Sequence, residues 1–113
     1  MRMQNSITMK TEKQLQDYTK KQAKLHGIGY YKLQCVGQTG FPDVLLTYKG
    51  YCIFIELKTP VGTSRLSERQ CRVLNQLTDQ DMETYVIDQP EQIDTLIAKL
   101  TNRKSRSLLD SLI

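Results

Sequence analysis

Gly40-Phe41-Pro42-Asp43-Val44-Leu45-Leu46-Thr47-Tyr48-Lys49-Gly50-Tyr51-Cys52-Ile53-Phe54-Ile55-Glu56-Leu57-Lys58 is the stretch whose reading decides the fold. Two β-rich runs, Val44 to Tyr48 and Tyr51 to Leu57, flank Lys49-Gly50, a hairpin signal. Side chains alternate along a strand, so Val44, Leu46, Ile53 and Ile55 fall on one face and Leu45, Cys52 and Phe54 on the other. Both faces are mostly apolar, and both therefore need helical cover. Into this setting the chain inserts three charges, Asp43, Glu56 and Lys58. With a two-residue loop, Tyr48 sits opposite Tyr51, Leu46 opposite Ile53, and Asp43 opposite Glu56. A four-residue loop keeps that register; a bulge shifts it by one. Directly opposed residues hold their Cβ atoms about 4.5–5.5 Å apart, and Lys58, two residues past Glu56, points to the same face.

Outward from the hairpin, Thr11 to His26 reads as a helix, with Leu15, Tyr18, Gln22 and Leu25 at helical spacing and Gly27 as its stop. Tyr30 to Val36 alternates as a strand, and the glycines of the loop Gly37-Gln38-Thr39-Gly40 allow a tight approach to the acidic pair. After a loop from Thr59 to Arg65, Ser67 to Gln80 predicts a helix with Leu66, Gln70, Val73, Leu74 and Leu77 along one face. Tyr85 to Ile87 is a short strand, and Pro90 opens a third helix to about Leu100. The order αβββαβα predicts an α/β protein, a mixed sheet flanked by helices in an α/β/α sandwich.

A chain of 113 residues is expected to form one domain over 1–113, with a core at about 11–100, a short N-terminal arm and a basic, then apolar, tail at 101–113. A charged fraction of 25% beside a hydrophobic fraction of 39% argues against disorder. No apolar run approaches the roughly 18 residues of a membrane span, and the N-terminus lacks a signal-peptide core. A soluble, cytoplasmic protein without membrane contact is expected. Cys35, Cys52 and Cys71 are odd in number and form no CxxC pair, against a disulfide framework or thiolate zinc site. They are expected as buried small hydrophobes in a reducing compartment. A net charge of +4 permits a polyanionic partner without requiring one.

Two carboxylates facing each other repel, and either a shared proton or a hard divalent cation relieves them. With a cation the pair becomes a phosphoryl-transfer centre. The ion stabilises charge and lowers the pKa of a water, Lys58 positions that water or neutralises developing charge, and the Leu57 carbonyl offers a further oxygen ligand. Otherwise Glu56 and Lys58 are solvated strand-end residues, and Asp43 caps a Pro turn. The first reading is favoured because Glu56 ends an interior-strand sequence, and Glu is rarely buried unless paired. Glu12 has two readings, as a site residue or as an acid complementing a helix N-terminus capped by Thr11 or Thr8. Gln70 also has two, since Ser67-Glu68-Arg69-Gln70 is a capping box while Gln70 shares the inward face of its helix. His26, the sole histidine, is given no role.

The ordered set resembles a known family. Pro42-Asp43, twelve residues, then Glu56-Leu57-Lys58 is similar to the PD-(D/E)xK nucleases, of restriction-endonuclease-like αβββαβ topology. Glu12 in the first helix, Gly40 to Asp43, Glu56 to Lys58, and Ser67 to Gln70 together resemble the virus-type replication-repair nuclease (VRR-NUC) domain over roughly Thr11 to Ile87. The resemblance implies a Mg²⁺- or Mn²⁺-dependent endonuclease. It further implies a homodimer, phage- or prophage-encoded, that cuts branched DNA such as Holliday junctions. Asp43, Glu56 and the Leu57 carbonyl would bind metal, Lys58 would assist the water, and Glu12 and Gln70 would support the site. Basic residues cluster at Lys10 to Lys24 (Lys13 among them), at Arg65, Arg69 and Arg72, and at Arg103, Lys104 and Arg106. Such clusters commonly form solvated helix faces. In a nuclease, Arg65 to Arg72 is the better phosphate contact because it flanks Gln70. The competing readings are a catalytically silent nucleic-acid-binding module on the same fold and a protein–protein interaction domain using the apolar C-terminus.

Overall fold

The computed structural model describes residues 9–61 and 65–108. Seven elements follow in chain order: α1 (Glu12–Leu25), β1 (Gly29–Lys32), β2 (Val44–Tyr48), β3 (Tyr51–Leu57), α2 (Glu68–Asp79), β4 (Glu83–Ile87) and α3 (Pro90–Thr101). They build one four-stranded sheet in the order β1-β2-β3-β4. The first three strands are antiparallel, and β4 returns parallel to β3 after α2. The sheet is therefore mixed, as predicted.

The hairpin has the two-residue loop. Tyr48 pairs with Tyr51, Leu46 with Ile53 and Val44 with Ile55. Lys49 and Gly50 both take positive φ, 44° and 92°, the signature of the type I′ turn that matches strand twist. Gly50 is required twice over, because a Cβ there would lie 2.5 Å from the Arg106 carbonyl carbon.

Alternation sorts the layers. Val44, Leu46, Ile53, Ile55 and Leu57 are fully buried and join Leu15, Ala23, Ile28, Ile93, Ile97 and Leu100 in one core between the sheet and the α1–α3 pair. The opposite face carries Leu45, Phe54 and Glu56, and α2 covers it, burying Val73 and Leu74. Phe41 packs edge-on against Phe54 there, with centroids 5.5 Å apart. Cover on this face is incomplete, and Tyr31 remains 55% exposed.

Three local expectations are corrected. β1 ends at Lys32 rather than Val36, which is 95% exposed. Its partner β2 starts only at Val44, after Pro42, which has no N–H to donate, so residues beyond Leu33 find no ladder. The buried stripe of α1 is Leu15, Thr19 and Ala23, while Leu25 is 67% exposed. Thr19 escapes an apolar-periodicity reading, yet its hydroxyl donates to the Leu15 carbonyl at 2.8 Å and so tolerates burial. Cys35, Cys52 and Cys71 are all exposed, on a loop, on the half-covered sheet face and on the outer side of α2.

The start of the basic tail is docked. The Arg106 N–H donates to the Lys49 carbonyl at 2.7 Å, and the Tyr51 hydroxyl to the Lys104 carbonyl at 2.8 Å. The Arg103 and Arg106 guanidiniums lie 4.9 and 4.4 Å from the Tyr51 ring centroid. The apolar end of that tail, 109–113, and the N-terminal arm over 1–8 lie outside the described residues. Among the described residues no helix is long and apolar enough to cross a membrane.

Candidate functional site

Past the Val44–Ile55 pair the β2–β3 ladder stops, and the Asp43 side chain takes over. Its Oδ2 accepts the Leu57 N–H at 2.9 Å, while its carbonyl accepts the Leu33 N–H at 2.7 Å. Asp43 is thus held at both ends on the strand beside Glu56, as the register count requires. Glu56 is only 3% exposed. Burial first, then the Asp43 charge, pushes its pKa up to about 8.

Gln70 organises the other side. Its Oε1 accepts from the Lys58 ammonium at 2.9 Å and from the Ser67 N–H at 2.9 Å, and its Nε2 donates to Glu56 Oε2 at 3.0 Å. The Ser67 hydroxyl accepts the Gln70 N–H at 3.1 Å, completing a capping box. The capping reading of Gln70 holds, and the same amide bridges Glu56 to Lys58. Lys58 Nζ lies 3.7 Å from Glu56 Oε2.

Glu12 is the first residue of α1. Its helix is capped by Thr11, which forms a capping box with Gln14. Desolvation raises the Glu12 pKa, Asp43 adds to the rise, and Lys58 and Lys32 oppose it. Glu12 in turn contributes to raising Glu56. It belongs to the same electrostatic cluster, but among the described residues no three acidic, His or Cys side chains converge closely enough to enclose an ion. Lys32 escaped the sequence reading. Sequence offered no signal for it, because the long loop between β1 and β2 leaves open the register that sets Lys32 opposite Val44, the neighbour of Asp43.

One atom tests whether a cation suits this arrangement. Glu56 Oε1 is buried and has no hydrogen-bond partner. Two ionised carboxylates have no hydrogen to share, so this oxygen calls for a proton bridging to Asp43, a water or a cation. The paired hard-oxygen donors fit a divalent ion of the Mg²⁺ type.

The expected nucleic-acid contacts are spread out. Lys13 is spent on Asp17 at 2.7 Å on α1, and Arg65 is exposed before α2. Arg69 donates to the Thr39 hydroxyl at 2.7 Å, and Arg72 lies 3.8 Å from Glu68. Gly40 makes its close approach to α2 and not to the acidic pair: at φ 86°, a Cβ would stand 2.8 Å from the Arg69 carbonyl. Gly37 has positive φ but open space around it, so it serves the turn and not an approach. A larger concavity of about 390 Å³, between β4 and α3, includes none of the acidic cluster in its lining.

The architecture is that of a nuclease-type, restriction-endonuclease-like α/β domain. No family model matches the chain, and no curated protein matches it by sequence. A solved structure described as a VRR_NUC domain superposes with a TM-score of 0.71 at 26% identity, covering 78% of this chain and 96% of that one. That likeness supports a VRR-NUC domain in this chain.

Proposed function

We propose that the protein is a Mg²⁺-dependent DNA endonuclease, with Mn²⁺ able to substitute, acting on branched DNA such as Holliday junctions. The observation that carries this reading is the orphaned Glu56 Oε1 beside Asp43, in the VRR-NUC fold. Asp43 and Glu56 would hold the ion, with the Leu57 carbonyl as a further oxygen donor and Glu12 adding negative charge nearby. When bound, the ion supplies Lewis acidity toward a phosphate oxygen and a water of lowered pKa. Asp43 is pre-oriented by the Leu57 N–H, so little ordering remains when the site is occupied. Glu56 Oε2 is tied to Gln70, which turns Oε1 toward its neighbour. Lys58, anchored by one bond to Gln70, retains donors to orient the attacking water or to meet charge developing on phosphate. Arg65, Arg69 and Arg72 bring positive charge to the strand, a shape-directed rather than base-specific attraction.

A homodimer would present two related sites to a two-fold junction and cut strands symmetrically. Labelled four-way junctions, flaps, splayed arms and linear duplex, incubated with Mg²⁺, Mn²⁺ or EDTA, test the activity. Cleavage of branched substrates that EDTA stops and Lys58→Ala abolishes is expected. Cutting by Lys58→Ala at the wild-type rate would remove the assignment, and a monomer by sedimentation of the DNA complex would remove the dimer.

A further inference from the structure

A polar cavity of about 330 Å³ opens between the loop of Gly37, Gln38 and Thr39 and the outer side of α2 at Arg69, Arg72 and Gln76. Among the described residues no carboxylate lines it. Arg69 is fixed by a neutral partner, the Thr39 hydroxyl at 2.7 Å, so its charge is oriented but uncompensated. The nearest anionic partner of Arg72 is Glu68 at 3.8 Å, with side chains 64% and 94% exposed, a pairing water screens almost completely. The arginines after α3 are committed differently, Arg103 to Glu83 and both Arg103 and Arg106 to the Tyr51 ring. On α2, two guanidiniums share one concavity whose remaining polar lining is hydroxyl and amide.

The cavity is also built from the segments that position the acidic pair. Gly40 presses on the Arg69 backbone and leads through Pro42 into Asp43. Arg69 directly precedes Gln70, which holds Glu56 and Lys58. A group seated on the two arginines is therefore at a fixed offset from the candidate catalytic centre. Planar guanidinium forks match phosphate oxygens in pairs.

Resting on the nuclease reading above, we propose that this cavity binds a second phosphodiester of the same DNA strand, flanking the one that is cut, and so fixes where along the strand cleavage falls. The test first maps the cut on a branched DNA cleaved by the wild type. Binding is then measured with Glu56→Gln, alone and combined with Arg69→Ala/Arg72→Ala, on DNA carrying single neutral methylphosphonates at positions flanking the cut. A methylphosphonate at one flanking position should weaken binding by Glu56→Gln about tenfold. The arginine-depleted protein should bind unmodified DNA about as weakly and lose nothing more from that substitution. Its plot of log affinity against log salt should be shallower by about 0.9, one phosphate contact. In the wild-type background, Arg72→Gln, an exposed change that folding tolerates, should blur the cut over neighbouring positions. Equal methylphosphonate penalties with and without the arginines would overturn the inference while leaving the nuclease reading intact. So would sensitivity confined to a 5′-terminal phosphate. Failure of the wild type to cleave any DNA would overturn both.

Discussion

Gln70 carries more bonds than its position suggests: one amide satisfies a helix terminus, a buried carboxylate and a lysine. These roles separate by mutation. Ser67→Ala removes only the cap and should cost about 1 kcal/mol in chemical denaturation, with cleavage close to wild type. Gln70→Ala should cost at least as much and also reduce cleavage by about 10–100-fold, the range for losing a group that orients a metal ligand. Equal loss of cleavage in the two variants would mean that the cap alone sets the activity. Glu56 supplies a pH signature. Its pKa is near 4.5 unfolded and about 8 folded, raised by burial and then by Asp43. Between those values the folded protein holds a proton that the unfolded chain has released, so metal-free stability falls as pH rises through this window. Glu56→Gln keeps a neutral side chain there. In EDTA its melting temperature should match wild type near pH 4 and exceed it increasingly toward pH 8. A pH-independent difference would show that Glu56 does not hold the proton.

At the scale of elements, the site depends on how closely the loop before β2 meets the start of α2. Gly40→Ala would combine a left-handed backbone with a collision against Arg69. It should cost about 1–3 kcal/mol and also depress cleavage, because Asp43 and Gln70 move apart. Gly37→Ala meets the backbone penalty alone, about 1 kcal/mol, and should depress cleavage far less than Gly40→Ala. Melting curves beside cleavage rates distinguish the two. The elements themselves were largely legible. Thr11 and Ser67 open α1 and α2, and Pro90 begins α3, because caps and proline act on their own backbone. The extent of β1 was not legible, since a strand lasts only as long as its neighbour offers partners.

Across the whole molecule, the sheet is closed on one face by α1 and α3, and the hairpin end is strapped by the segment after α3. Arg103 forms a two-pronged pair with Glu83 at 2.7 and 2.6 Å and lies over Tyr51. Arg103 holds the Glu83 carboxyl below its ordinary 4.5. Arg103→Ala should therefore destabilise by about 1–3 kcal/mol near neutral pH. The stability of this pair is present above pH 4.5 and is lost as pH falls through the lowered pKa of Glu83. Urea titrations of both proteins should converge in that acidic range; a constant gap would assign the loss to packing on Tyr51.

The sequence by itself determined the hairpin and its register, because a two-residue turn and strict alternation leave no freedom once Lys49-Gly50 is the loop. It thereby determined that Asp43, Glu56 and Lys58 share one face. The tertiary structure decided what joins them. Gln70 reaches Glu56 and Lys58 only because α2 crosses back over that face of the sheet, and Glu12 only because α1 begins near the same edge. Burial of Thr19 and exposure of the three cysteines were likewise decided by which surfaces the helices cover. Local spacing specifies neighbours along the chain, whereas cover depends on the packing of elements far apart in it.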